Sequence, residues 1–153
     1  MDVTWRSPLP VDYDVVISSL DAWWGGRSMT DMLPRLFFDQ FRDTSLVAVD
    51  GDGEIAAFVV AFVSAAEPDL GYIHFVGVDP QHRGQGLGAQ AYAKVCEVLR
   101  SRGCERVKAV TSPANLASQA FHRSLGFDLS DPIADYDGPG QDRVVLTRPL
   151  VGD

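Results

Sequence analysis

The chain has 153 residues, 46% of them hydrophobic and 22% charged, with a formal net charge of −8. These values are ordinary for a soluble globular protein, and the length predicts one domain, residues 1–153, with a sizeable core. The sequence shows no basic face of the kind that nucleic-acid binders carry. Its longest apolar run, Ile55 to Val63, is too short to span a bilayer. We therefore expect neither a nucleic-acid nor a membrane partner, and the acidic balance modestly favours cationic small molecules.

The predicted elements alternate between strand and helix patterns along the whole chain. They are a short edge strand at 3–6, a helix at 11–24, a second helix from 28 to about 42, strands at 45–49, 54–64 and 72–78, a helix at 87–102, a strand at 106–111, a helix at 115–125 and strands at 127–129 and 143–150. Ser28 is the candidate cap of the second helix, where Pro34 is a kink or a delayed start. Hairpins come first and a βαβ crossover follows. We expect an α+β fold with a mostly antiparallel, twisted sheet of six to seven strands and helices on both faces.

Two further features concern compartment and metal binding. Residues 1–6 lack the charged-then-apolar order of a signal peptide, so we expect a cytoplasmic protein. Cys96 and Cys104 have no metal-ligand spacing, and buried free thiols are the expected state. We therefore expect no metal cofactor.

The most informative segment runs from Val78 to Gly88, Val-Asp-Pro-Gln-His-Arg-Gly-Gln-Gly-Leu-Gly. An apolar strand enters it and a helical pattern leaves it. Glycines let a backbone approach an anion without obstruction by Cβ, and a helix start offers unpaired N–H groups. The segment therefore predicts a cradle for a phosphorylated cofactor, with His82 exposed beside it.

Three motifs in order give the chain a family resemblance. The first, Gln81 to Gly86, fits the glycine motif of the GNAT superfamily of acyl-CoA N-acyltransferases, and Arg83 to Gly88 fits it in a second register. Downstream, Phe121 to Phe127 looks like the family's tyrosine, x, basic, x, Leu-Gly-Phe ending. Asn115 begins that helix, as a family asparagine often does. The chain thus resembles the GNAT superfamily, which implies the GNAT fold.

The resemblance implies acetyl-CoA as acyl donor, with its pyrophosphate and pantetheine arm held largely by main chain. The residues implied are Val76, Gly77 and Val78 for the pantetheine arm, Arg83, Gly84, Gln85, Gly86, Leu87 and Gly88 for the pyrophosphate, and Asn115 and Phe121 beside the arm. Gly77 suits a bulge that opens a slot for the cofactor. The Arg83 side chain is expected either to pair with phosphate or to make a surface salt bridge.

Acyl transfer to an amine needs a group that accepts the ammonium proton. In the family this is often a Glu four residues before the strand's terminal valine, and here that position is His74. A histidine can serve as such a base. The alternative is a histidine that only packs or hydrogen-bonds within the sheet.

The chain departs from the family at the group that protonates the leaving thiolate. The family tyrosine aligns with Phe121, which has no proton to give. His122 is a weak candidate acid, because neighbouring helical residues point about 100° apart. Its alternative is a helix-surface or capping role.

The acceptor is expected to be an amine, of a small molecule or a peptide, held by two segments. The candidates are Trp23 and Trp24 at the end of the first predicted helix, and Asp135 and Tyr136 in the last loop. Core packing of both tryptophans, and ordinary turn chemistry for the aspartate, are the alternatives. Family members often dimerise, so a homodimer is one state that the resemblance allows.

Two other functions compete. Gly84 to Ala89 also fits a dinucleotide fingerprint, G-x-G-x-x-A, but Glu105, the acidic residue at the required separation, precedes its strand. A non-catalytic acyl-CoA sensor is the second alternative, and the missing tyrosine motivates it.

Overall fold

The protein is described here by a computed structural model covering residues 2–150. Within that range the strands are β1 (Thr4–Arg6), β2 (Leu46–Val49), β3 (Ile55–Val63), β4 (Leu70–Val78), β5 (Arg106–Thr111), β6 (Asp128–Leu129) and β7 (Val144–Pro149). The α-helices are α1 (Pro10–Trp23), α2 (Leu36–Gln40), α3 (Leu87–Ser101) and α4 (Leu116–Ser124). No helix among these residues combines the length and apolar character needed to cross a bilayer.

The strands form one mostly antiparallel sheet in the order β1-β2-β3-β4-β5-β7-β6. The β1–β2, β2–β3, β5–β7 and β6–β7 pairs are antiparallel, and the β4–β5 pair is parallel. The parallel ladder joins Leu70–Tyr72 of β4 to Arg106–Lys108 of β5. A parallel pair needs a crossover, which α3 supplies between β4 and β5. The expected mixed fold is confirmed.

The described chain forms two compact units, of which the first holds residues 2–62 and 73–99. Its main core packs α1 against β2, β3 and β4, through the buried residues Val16, Leu20, Trp23, Leu33, Phe38, Val47, Ile55, Phe58, Val60 and Phe75. A second cluster joins Leu87 of α3 to Ala48, Ala56 and Ala57. Ala48 and Ala57 oppose each other, and side chains alternate between faces along a strand. Helices therefore cover both faces of β2 and β3, as the sequence predicted.

The second unit holds residues 63–72 and 100–150 and is built on the β5–β7 ladder. Val107, Ala109, Val144 and Leu146 are its buried strand residues. Asn115 caps α4 by accepting a hydrogen bond from Ser118 N at 3.0 Å. Gly126, at φ +86°, ends that helix in the left-handed conformation.

The second predicted helix, from 28 to about 42, is the main error in the sequence analysis. The chain instead forms a 3₁₀ turn at Thr30–Met32, the five-residue α2, and another 3₁₀ turn at Arg42–Thr44. Ser28 caps neither, because the first turn begins after Met29. The cause is Pro34, which forces Leu33 out of the helical region, to φ −132° and ψ 72°.

Candidate functional site

The first part of the site is the connection between β4 and α3. After Val78 the chain makes a 3₁₀ turn at Pro80–His82, whose start is capped by the Asp79 carboxylate accepting from Gln81 N at 2.9 Å. Gly84 and Gly86 then adopt φ values of +80° and +76°, which L-residues with a Cβ rarely reach. The glycines are therefore required by the path of this loop.

The main-chain N–H groups from Gly84 to Ala89 are available to an external acceptor. Within residues 2–150 none of them donates to a protein oxygen, and the next donor along the chain is Gln90 N, to Gly86 O at 3.0 Å. Several of these groups belong to the first turn of α3, where the helix dipole adds partial positive charge. Such a row of donors suits an anion, and a phosphate above all.

The side of the loop away from the core is open. A Cβ placed on Gly84 or Gly86 would meet no atom within 4 Å. Leu87, by contrast, is buried against the alanines of β2 and β3 and anchors the start of α3. We call residues Arg83–Ala89 the glycine cradle.

Arg83 connects this cradle to α1. Its Nη2 donates to the main-chain oxygen of Trp23 at 2.5 Å, while the residue as a whole is exposed. This contact is neither of the two that the sequence predicted, a phosphate pair or a surface salt bridge. The remaining N–H groups of a guanidinium still allow a phosphate contact.

The end of β4 forms the second part of the site. Its ladder with β5 covers Leu70–Tyr72, and Val76, Gly77 and Val78 lie beyond those positions. A Cβ on Gly77 would stand 2.4 Å from Phe58 Cε1 and 3.1 Å from Trp24 Cη2. The glycine is therefore needed for close packing of two aromatic rings, a reason that the sequence analysis did not give.

His74, on β4, is held by two contacts from the segment after α1. Its Nε2 lies 2.6 Å from Met32 O, and because a carbonyl can only accept, Nε2 is the donor. Its ring stacks on Phe37, with centroids 4.1 Å apart and planes 6° from parallel. Burial lowers the pKa of His74, and the Met32 hydrogen bond offsets part of that effect. The neutral ring therefore carries its lone pair on Nδ1.

In the second unit, Asn115, Phe121 and His122 lie on or before α4. Asn115 uses its side-chain oxygen as the helix cap. His122 is buried, and its Nδ1 donates to Ser118 O at 2.7 Å. Its ring contacts those of Phe121 and Phe127 edge-on, at 5.4 and 5.1 Å. Burial lowers the pKa of His122, so these contacts describe a packed histidine, and its role as an acid stays a prediction.

The two tryptophans proposed for the acceptor both pack on the core of the first unit. Trp23 is buried near Phe58, with ring centroids 6.2 Å apart, and Trp24 lies edge-on to Phe75 at 5.1 Å. These contacts agree with the alternative of core packing.

The last loop uses its aspartate to hold its own turn. Asp135 sits at φ +54° and accepts from Gly140 N at 2.8 Å, while Tyr136 is 39% exposed. Both residues are exposed, and the tyrosine ring is the larger apolar surface of the pair. No group of three or more potential metal ligands occurs in the described part of the chain.

The family model described as Acetyltransferase (GNAT) family matches residues 13–127, more than half of the chain. The protein belongs to the GNAT acetyltransferase family. The match includes the glycine cradle, His74 and the helix with Phe121, so the resemblance seen in the motifs is confirmed.

Two other acetyltransferases are similar to part of this chain. The chain is 32% identical over 94 residues to an L-2,4-diaminobutyric acid acetyltransferase of Virgibacillus pantothenticus, covering 61% of this chain and 58% of that protein. It is 39% identical over 107 residues to a mycothiol acetyltransferase of Thermobispora bispora, covering 67% of this chain and 36% of that protein. The chain thus spans less than two thirds of either relative.

A solved GNAT structure shows the same fold. It is a phosphinothricin acetyltransferase of Sinorhizobium meliloti in complex with AcCoA, with a TM-score of 0.75 at 23% identity, covering 98% of this chain and 89% of that one.

Sequence reasoning missed three contributors to this GNAT site. His82, predicted to be exposed, is buried, and Phe37 and Met32 were not connected with His74. Phe37 and Met32 lie 37 and 42 positions before His74 in the chain, so no local sequence pattern encodes their contacts with it. The contact that goes with the burial of His82, to Asp50, spans 32 positions and likewise has no local sequence signal.

Proposed function

We propose that this protein is an acetyl-CoA-dependent N-acetyltransferase that acetylates a primary amine of a small molecule or peptide, by direct attack in a ternary complex. Membership of the GNAT family supports the reaction class. The relatives named above as acetyltransferases of L-2,4-diaminobutyric acid and of mycothiol support it further.

The observation that carries the proposal is the set of N–H groups without protein acceptors in the glycine cradle. A diphosphate is an acceptor that suits several unpaired N–H donors at a helix start. The open space above Gly84 and Gly86 lets it approach the main chain. The residues present therefore fit the pyrophosphate of acetyl-CoA.

The rest of the donor would follow β4. We assign the pantetheine arm to the main chain of Val76, Gly77 and Val78. Asn115 and Phe121 stay its further proposed contacts. Bound there, acetyl-CoA supplies an activated acyl group as a thioester. Main-chain N–H groups near Val76–Val78 would polarise its carbonyl.

His74 is the proposed base, and one atom of its ring is proposed to accept the proton. Nε2 is occupied by Met32 O, so Nδ1 is the atom that would accept the proton of the acceptor ammonium, directly or through water. The amine nitrogen then bonds to the acyl carbon, the carbon–sulfur bond breaks, and the electron pair leaves on sulfur. Burial keeps the ring neutral at pH values where an exposed histidine is partly charged.

Protonation of the leaving thiolate needs no dedicated side chain in this proposal. Phe121 cannot donate, and His122 is engaged with Ser118 O. Water or the proton released by the amine would complete the step.

The acceptor is proposed to be cationic, because the chain has a formal net charge of −8. Trp24 and Tyr136 are the weaker candidates for contacting it, with Trp23 and Asp135 engaged in packing and turn formation. The cytoplasmic location and the homodimer stay predictions.

The test is a pair of measurements on the same protein. Isothermal titration with CoA measures binding, and release of free thiol from acetyl-CoA measures turnover with diamino acids, polyamines, aminoglycosides and peptide N-termini. We expect CoA binding and amine-dependent thiol release with at least one class. Gly86→Val should abolish both, because a branched side chain at that position blocks the phosphate, and Gly51→Ala in an exposed turn is the matched control.

The alternative function is an acyl-CoA sensor without turnover, which Phe121 at the position of the family tyrosine favours. Tight CoA binding without thiol release for any amine would support the sensor. Absence of CoA binding would contradict both functions.

A further inference from the structure

His82 stands between β4 and the glycine cradle with both ring nitrogens facing carboxylates. It is only 6% exposed and ends the 3₁₀ turn Pro80–His82. Its Nε2 lies 3.2 Å from Asp50 Oδ2, and its Nδ1 lies 3.7 Å from Asp79 Oδ2. Nδ1 is buried, and no hydrogen-bond partner for it occurs among the described residues.

The two carboxylate oxygens of Asp50 have different hydrogen-bond partners. Its Oδ1 accepts from Asp52 N and Glu54 N, both at 2.9 Å, and so holds the turn between β2 and β3. Its Oδ2 faces His82. The hydrogen bond from Glu54 N, followed by that from Asp52 N and the contact with His82, lowers the pKa of Asp50, although burial opposes this. The carboxylate is therefore ionised at neutral pH.

Asp79 holds the main chain on the other side of the ring. Its N–H donates to Ala56 O on β3 at 2.9 Å, its main-chain oxygen accepts from His82 N at 2.8 Å, and its Oδ1 accepts from Gln81 N. Asp79 thus ties the 3₁₀ turn to the sheet. The next residue after the turn, Arg83, begins the cradle.

The His82 side chain is held through Nε2, which donates to Asp50 Oδ2 at 3.2 Å, since a carboxylate only accepts. The 3.7 Å between Nδ1 and Asp79 Oδ2 is too long for a hydrogen bond, so Asp50 holds the side chain and Asp79 holds the main chain of the turn. Among the described residues, the charged groups that face this ring are Asp50, from the β2–β3 turn, and Asp79, from the same turn as His82.

We propose that His82, buried and hydrogen-bonded through Nε2 to Asp50, is a positioning residue that sets the orientation of the cradle N–H groups and so controls cofactor affinity. The proposal rests on the proposed function only in taking CoA as the cofactor. Its consequence is that loss of the His82–Asp50 hydrogen bond weakens CoA binding, although the proposal places no contact between His82 and the cofactor.

The experiment measures the Kd of the folded protein for CoA by isothermal titration. We expect His82→Leu, which removes the donor to Asp50, to bind CoA about tenfold more weakly, on the scale of one hydrogen bond to a charged group. His82→Gln, which keeps an N–H donor, should recover part of the affinity. Asp50→Asn, which keeps an oxygen for the turn but loses the acceptor for Nε2, should behave like His82→Leu. Asp52→Asn, in the same turn but without a contact to His82, should match the wild type.

Several outcomes decide the proposal. Equal affinity of wild type and His82→Leu would overturn it. If His82→Leu does not fold, Asp50→Asn decides by the same comparison of affinities. In steady-state assays the effect should appear in KM for acetyl-CoA and leave kcat unchanged. A wild type that binds no CoA would contradict the proposed function instead, so the two failures are distinguishable.

Discussion

Arg83 Nη2 donates a hydrogen bond to the main-chain oxygen of Trp23, at 2.5 Å. Trp23 is the last residue of α1, and the final carbonyls of a helix lack partners within it. A cation at this end is also favoured by the helix dipole. A residue of the glycine cradle therefore caps the helix that ends at Trp23.

We expect Arg83→Met to lower the free energy of unfolding by about 1 kcal/mol, because an exposed, charge-assisted cap is lost while the aliphatic stem remains. Urea denaturation measures this. Arg27→Met is the matched control, since Arg27 is exposed just beyond the same helix end. Equal losses in the two variants would show that the Trp23 contact contributes nothing specific.

Gly77→Ala should lower the stability of the protein more than the addition of one methyl group suggests. A Cβ would stand 2.4 Å from Cε1 of Phe58, a ring with no exposed surface, so a buried side chain must move. Overpacking of this kind typically costs about 1–3 kcal/mol. Chemical denaturation should show that loss, and Phe58→Leu in the Gly77→Ala background should recover part of it. Gly51→Ala, with open space around its Cβ, should change stability by less than about 0.5 kcal/mol.

The features that the sequence predicted well are those set by neighbouring residues. The strand at 106–111 has the predicted bounds, Asn115 caps α4, and the turn at 50–53 joins β2 to β3. Each follows from alternation, a capping side chain or a turn signal within a few positions.

The features that the sequence missed depend on contacts between distant segments. One is the packing of Gly77 against the ring of Phe58, 19 positions earlier. His82 is buried because the Asp50 turn lies against it, 32 positions earlier. The break in the second predicted helix does have a local sequence signal, Pro34. A proline disfavours the helical conformation of the residue before it, which here is Leu33.

The cradle makes a prediction about backbone conformation. Gly86→Ala should weaken CoA binding at least about tenfold, because φ +76° is strained with a Cβ and the methyl group would point into the space proposed for the phosphate. Gly103→Ala is the control: its φ is +95° and its surroundings are also open, but it lies beyond the far end of α3. Both variants should lose similar stability, and only Gly86→Ala should lose CoA affinity by isothermal titration. Equal affinities would show that the phosphates are held elsewhere.

Phe121→Tyr should be tolerated, because Phe121 is only half-buried and its ring edge already meets His122. If protonation of the thiolate limits turnover, the new hydroxyl should raise kcat a few-fold, roughly the lower range of general acid effects. Rapid-quench measurement of thiol release would detect it. An unchanged kcat, with release faster than the steady state, would place the limit at another step.

The pH dependence of turnover tests His74 most directly. Burial lowers its pKa below the ordinary 6.5, so the neutral, basic ring persists into mildly acidic solution. A base acts only above its pKa, and kcat/KM for the amine should therefore fall as pH drops through a value below 6.5. His74→Gln keeps a donor for Met32 O but has no basic nitrogen, and should lower kcat about a hundredfold and remove that acidic limb.

A second variant changes the surroundings of His74 and leaves its basic nitrogen in place. Phe37→Leu removes the ring stacked on His74 and admits water, which should move the acidic limb towards higher pH while keeping most of the activity. Val15→Ala, at an exposed position on α1, is the control for a lost apolar side chain. An identical limb in wild type and His74→Gln would exclude His74 as the base and assign the limb to another group or to the acceptor.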